Sequence, residues 1–146
     1  MNGLVSLDEH APTVDTREFP LVRITYPRVP KAEALGHYLD MCRDFYARGR
    51  CATVVDLRPL ALFVNTADNR RRIAEAMDQL GREFPDHLVA EATVHPLRVV
   101  RAAVRAHNWL RQEGRFATES FASPGPALAW ARARLSAAGL LSSDQR

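Results

Sequence analysis

The sequence predicts a single α/β domain in which strands and helices alternate as βαβαβαβα, its mostly parallel sheet holding four strands with room for a fifth and helices packed against it. Three observations carry this. Short β-branched or apolar runs bounded by proline or glycine alternate with longer stretches whose apolar positions recur every three and four residues. A chain of 146 residues suits one core. Apolar residues at 47% and charged residues at 25% are ordinary for a globular protein, which sets aside disorder. Strands alternating with helices imply right-handed crossovers and neighbours running the same way.

The elements follow in order. Residues 1–18 read as a polar arm with a short edge strand around Leu4 to Leu7; 19–139 form the domain and 140–146 a tail. "FPLVRITYP" (19–27), between Pro20 and Pro27, is the first core strand. In "KAEALGHYLDMCRDFYARG" (31–49), Leu35, Tyr38, Leu39, Cys42, Phe45 and Tyr46 form one stripe of a helix, and Gly49 supplies its left-handed stop. "CATVVDL" (51–57) is a strand covered on both faces, ended by Pro59. Ile73, Met77, Leu80 and Phe84 mark a second helix over 68–84. "LVAEATV" (88–94) is the third strand, followed by a helix from Pro96 to about Gln112, and "RFATESF" (115–121) is the fourth. Ser123 as N-cap and Pro124 at the first helical position open the last helix, which runs to Gly139.

In such sheets ligands and partners meet the loops beyond the C-terminal strand ends. The longest of these here is 58–68, within "VVDLRPLALFVNTADN". It offers Asp56, Arg58, Asn65, Thr66 and Asp68, with Arg70, Arg71 and Arg72 behind them. Thr66 or Asn65 can cap the helix that follows, worth about 1 kcal/mol. The same helix start, flanked by Arg58 and Arg70, is suited to an anion or an acidic side chain.

Nineteen arginines and one lysine give a net charge of +3, unevenly spread. Residues 95–146 carry eight arginines against Glu113, Glu119 and Asp144, a local charge of +5. Arg98, Arg101 and Arg105 share a helix face, which reads as the wet side, while His107, Trp109 and Leu110 are expected to pack. Aromatic residues do not interleave with basic ones on any strand, which weighs against nucleic acid.

Neither GxGxxG nor GxxxxGK[ST], HExxH or GxSxG occurs, and the five histidines are isolated, so no enzyme, cofactor or metal is expected. Cys42 and Cys51 read as core thiols. The absence of a long apolar run and of a basic, apolar leader makes the cytoplasm the expected location, with no membrane span.

The order of elements, the "VVDLR" strand end and the closing "FASPGPALAWARARL" (121–135) resemble bacterial STAS-type domains of the anti-sigma-factor-antagonist fold, in particular the divergent STAS-like or SpoIIAA-like branch, over residues 19–136. The resemblance implies a four-stranded core sheet, no cofactor, and work done by docking onto another protein. Regulatory members of that family carry Asp-Ser-Ser/Thr-Gly before the second helix, the first serine being phosphorylated to switch docking off. Laid ungapped on this chain, the motif falls on Val64, Asn65, Thr66 and Ala67. Asn65 accepts no phosphoryl group, so the switch is expected to be lost.

The expected function is therefore a non-enzymatic protein–protein interaction module, regulatory in kind, meeting an acidic partner through Arg58, Asn65, Thr66, Arg70 and Arg71. The alternative is a carrier or sensor of a small anionic or lipid-like ligand, as in the similar CRAL-TRIO architecture. Its crevice would be bordered by Arg28, Arg58, His95 and the second helix start.

Overall fold

The computed structural model describes residues 9–61, 66–111 and 116–142, without the side chains of Leu110 and Arg111. The elements are β1 (Thr13–Asp15), β2 (Leu21–Thr25), a 3-10 turn (Ala32–Ala34) leading into α1 (Leu35–Ala47), β3 (Cys51–Asp56), α2 (Ala67–Glu83), β4 (Leu88–Val94), α3 (Arg98–Arg111), β5 (Ala117–Phe121) and α4 (Pro124–Ala137). They build one sheet in the order β1-β2-β3-β4-β5. The four core strands are parallel, as the alternation demands, and β1 adds an antiparallel edge to β2. That fifth strand comes from within the segment read as an arm, at Thr13–Asp15; the strand expected at Leu4 to Leu7 lies outside the described residues.

Strand order equals chain order, so every crossover steps the same way, and a fixed right hand puts all three crossover helices on one face. α4, which follows the last strand, covers the other. The alternation inside each strand divides the core accordingly. Leu21, Ala52, Val54, Ala90, Ala92 and Val94 face α4, where Ala127, Ala131 and Leu135 are fully buried against them. The alanines on both sides let this helix lie close to the sheet. Val22, Ile24, Cys51 and Val55 face α1 and α2 and pack on Leu35, Tyr38, Cys42, Phe45 and Leu80. Both cysteines are buried and unbridged, and burial pushes their thiols up to about 11 for Cys42 and about 12 for Cys51.

Termini of helices follow local chemistry. Gly49 takes a φ of 137° just beyond α1, in the region that favours glycine. Thr66 caps α2 by accepting the amide of Asn69 at 3.1 Å. Ser123 does stand at the N-cap of α4 with Pro124 inside the first turn, but its side chain makes no capping bond.

Candidate functional site

The C-terminal strand ends share one edge, and the residues singled out there are largely bound to one another. Arg58 forms a forked pair with Asp56, Nε to Oδ1 at 3.0 Å and Nη2 to Oδ2 at 2.8 Å. Burial raises the Asp56 carboxyl, but hydrogen bonds from the Arg58 side chain and amide outweigh it and leave the group below its ordinary value. Arg71 pairs with Asp68 at 2.7 Å and Arg72 with Glu33 at 2.8 Å. Arg70 donates its amide to the Thr66 carbonyl. Asn65 lies outside the described residues.

Arg28 is exposed on the loop after β2, and its carbonyl accepts the Ala61 amide at 2.8 Å, which pins the 58–61 turn beside it. His95 is buried, and its Nδ1 accepts the Leu97 amide at 3.1 Å. This assigns the proton of the neutral ring to Nε2. Burial and the Arg101 charge depress its imidazole, against a smaller opposing pull from Asp56. Arg28 and the 58–61 turn are thus neighbours, and His95 stands under the same edge with its ring turned into the fold. Asn69, which the sequence reading passed over, fastens this edge. Its Oδ1 accepts the Ala32 amide at 2.9 Å and its Nδ2 donates to the Pro30 carbonyl at 2.8 Å.

A cleft lies elsewhere. Between α2 and α3, over β3 and β4, it encloses about 500 Å³ and has a mixed wall, in which Met77, Phe84, Val104 and Phe116 alternate with Asp78, Arg82, His107 and Asn108. Glu91 and Thr93 of β4 line it from the sheet. On the same face of the sheet Thr53 donates to Glu91 at 3.3 Å, and the Thr93 and Ser120 hydroxyls bond at 2.8 Å. This half of the sheet's helix-covered face is therefore polar, where β2 and β3 place valine and isoleucine. Tyr38 and Tyr46 reach the cleft from α1; burial, aided by the Glu91 charge, holds both phenols well above their usual range. The signal was present in "LVAEATV", where Ala90, Ala92 and Val94 alternate with Glu91 and Thr93.

The helix α3 corrects two expectations. Arg98 and Arg105 are exposed, as a wet side requires, but Arg101 is half-buried, and its Nη1 donates to the carbonyls of His95 at 2.9 Å and Pro96 at 2.7 Å. Arg105 reaches Glu119 at 3.0 Å on the neighbouring strand. Trp109 does not pack and is 81% exposed, and His107 is exposed at the cleft. Trp130, by contrast, lies against Phe121 at 5.9 Å between ring centres.

The α/β domain, with its five-stranded sheet and helices on both faces, has a SpoIIAA-like fold, and no helix among the described residues is long and apolar enough to cross a membrane. Its architecture is similar to that of an uncharacterised protein of the DUF3478 family with a SpoIIAA-like fold, from Shewanella loihica PV-4. The match has a TM-score of 0.55 at 15% identity and covers 82% of this chain and 91% of that one. No protein-family model and no curated protein matches the chain.

Proposed function

We propose that this SpoIIAA-like domain is a non-enzymatic sensor or carrier of a small, lipid-like molecule held between α2 and α3. The cleft of about 500 Å³, where Met77, Phe84 and Val104 stand beside Asp78, Arg82, His107 and Asn108 and over Glu91 and Thr93, carries this reading. Concave sites of this size, mostly apolar with a few placed polar groups, are the usual form of small-molecule sites. Apolar walls from Met77, Phe84 and Val104 shield a hydrocarbon or ring system, and the β4 side offers an acceptor at Glu91 and a hydroxyl at Thr93. A carboxylate there disfavours an anionic head and favours a hydroxyl or amide group. Native mass spectrometry of freshly purified protein tests the proposal: a stoichiometric adduct of small mass supports it, and a clean apo mass from several hosts counts against it.

The second reading, protein docking at the strand-end edge, rests on Arg28 and the α2 start. Arg28 is exposed, and Thr66 is also exposed at the mouth of α2. Arg58, Arg70 and Arg71 stand around the same edge, and with Thr66 and Asn65 they would form the contact with an acidic partner. Charge reversal at Arg28 and Arg70 that left every co-purifying protein bound would remove this reading.

A further inference from the structure

The charge of the basic C-terminal third has no part in the cleft reading, and α3 is where it meets apolar surface. Val99, Ala102, Ala103, Ala106 and Trp109 recur at steps of three and four and form one exposed stripe, with Val99 71% and Trp109 81% exposed. Leu97, 47% exposed, extends the apolar surface at the helix start. The roll of the helix has a cause. Arg101 grips the His95 and Pro96 carbonyls and Arg105 grips Glu119 and the Ser120 carbonyl, so the arginine side of α3 is tied to the strand ends and the alanine side is turned outward. Val100 and Val104 take the inward side, so α3 carries apolar residues on two sides.

We infer that α3 is an interfacial helix that lies on an anionic phospholipid bilayer, inserting Val99 and Trp109 below the headgroups while Arg98 meets phosphate. Charge decides the occupant. The helix holds Arg98, Arg101, Arg105 and Arg111 and no acidic residue, and of these charges the strand-borne Glu119 offsets that of Arg105. Arg98 is exposed beside the stripe. Two copies of the chain paired through this stripe would juxtapose cationic helices with no carboxylate of α3 to offset them. Anionic headgroups supply that complement, and a Trp with small apolar neighbours suits the interface.

The test uses the full chain with Trp130→Phe, leaving Trp109 as the single indole, and sedimentation with vesicles of phosphatidylcholine alone or mixed with phosphatidylserine. The expected result is binding to the mixed vesicles only, weakened by salt, with a blue shift of Trp109 emission. The double variant Val99→Ser, Trp109→Ser in the wild-type background should lower the partition by about tenfold or more, and Arg98→Glu severalfold. These side chains are solvent-exposed, so unchanged circular dichroism is expected alongside. No binding to mixed vesicles overturns the inference, as does equal binding by the double variant, which would reduce it to bulk charge. A concentration-dependent dimer abolished by the double variant, without vesicle binding, overturns it in favour of self-association.

Discussion

Gly81→Ala should stabilise the protein, and the reason lies in the open wall of the cleft. Gly81 belongs to the last turns of α2, which ends at Glu83, and lines the cleft. A Cβ built on it meets no atom within 4 Å beyond its chain neighbours and the backbone of its own helix. Glycine in a helix interior costs about 0.8–1.0 kcal/mol relative to alanine, so near the helix end about 0.5–1 kcal/mol is recovered. For a domain of this size each kcal/mol moves Tm by roughly 2–4 °C, so thermal unfolding followed by circular dichroism should show a rise of about 1–4 °C. No steric loss opposes it, because nothing has to move. A fall in Tm would refute the reasoning, since it would mean that the added methyl runs into a neighbour and that the space between α2 and α3 is closed.

Other consequences are equally direct. Asn69→Ala strips the partners from the Ala32 amide and the Pro30 carbonyl, and should cost about 1–3 kcal/mol in urea unfolding with an unchanged m-value. Cys42 and Cys51, buried and with thiols pushed up to about 11 and about 12, should resist iodoacetamide at neutral pH in the native protein and react only on unfolding; labelling of the folded chain would contradict their placement. His95 is depressed below its ordinary 6.5 by burial and by Arg101. The unfolded chain therefore takes up this proton first as pH falls, so the stability it contributes is present above pH 6.5 and is lost below it, toward its folded value. His95→Asn, which keeps an acceptor for the Leu97 amide, should flatten the decline of Tm between about pH 7 and 5, and an identical slope in both proteins would exclude His95 as its source.

The strands were legible because their signals are local. β4 occupies Leu88–Val94 as "LVAEATV" indicates, and β3 ends at Asp56 before Pro59. Thr66 was legible as a cap for the same reason, a hydroxyl just ahead of a helical period. The orientation of α3 was not. Periodicity distinguishes the apolar from the charged side of a helix but does not say which side a sheet edge will hold. Here the exposed carbonyls of His95 and Pro96 and the carboxylate of Glu119 capture the arginines. The pairing of Arg71 and Arg72 escaped for a related reason. Arginine clusters look available until their acidic partners are placed, and Glu33 is thirty-nine residues away from Arg72. The cleft depends on the spacing of two helices, which no single segment encodes, although Glu91 and Thr93, alternating with the alanines of "LVAEATV", were its trace.

The cleft is tested most directly by native mass spectrometry of the wild type and Gly81→Leu, purified side by side. A leucine at this position has backbone room and extends from the wall of the cleft, so the fold should persist while the space for a guest shrinks. The wild type is predicted to carry a stoichiometric small-mass adduct that the variant lacks, at equal circular dichroism. Equal adducts on both proteins, or none on either, would contradict a ligand between α2 and α3.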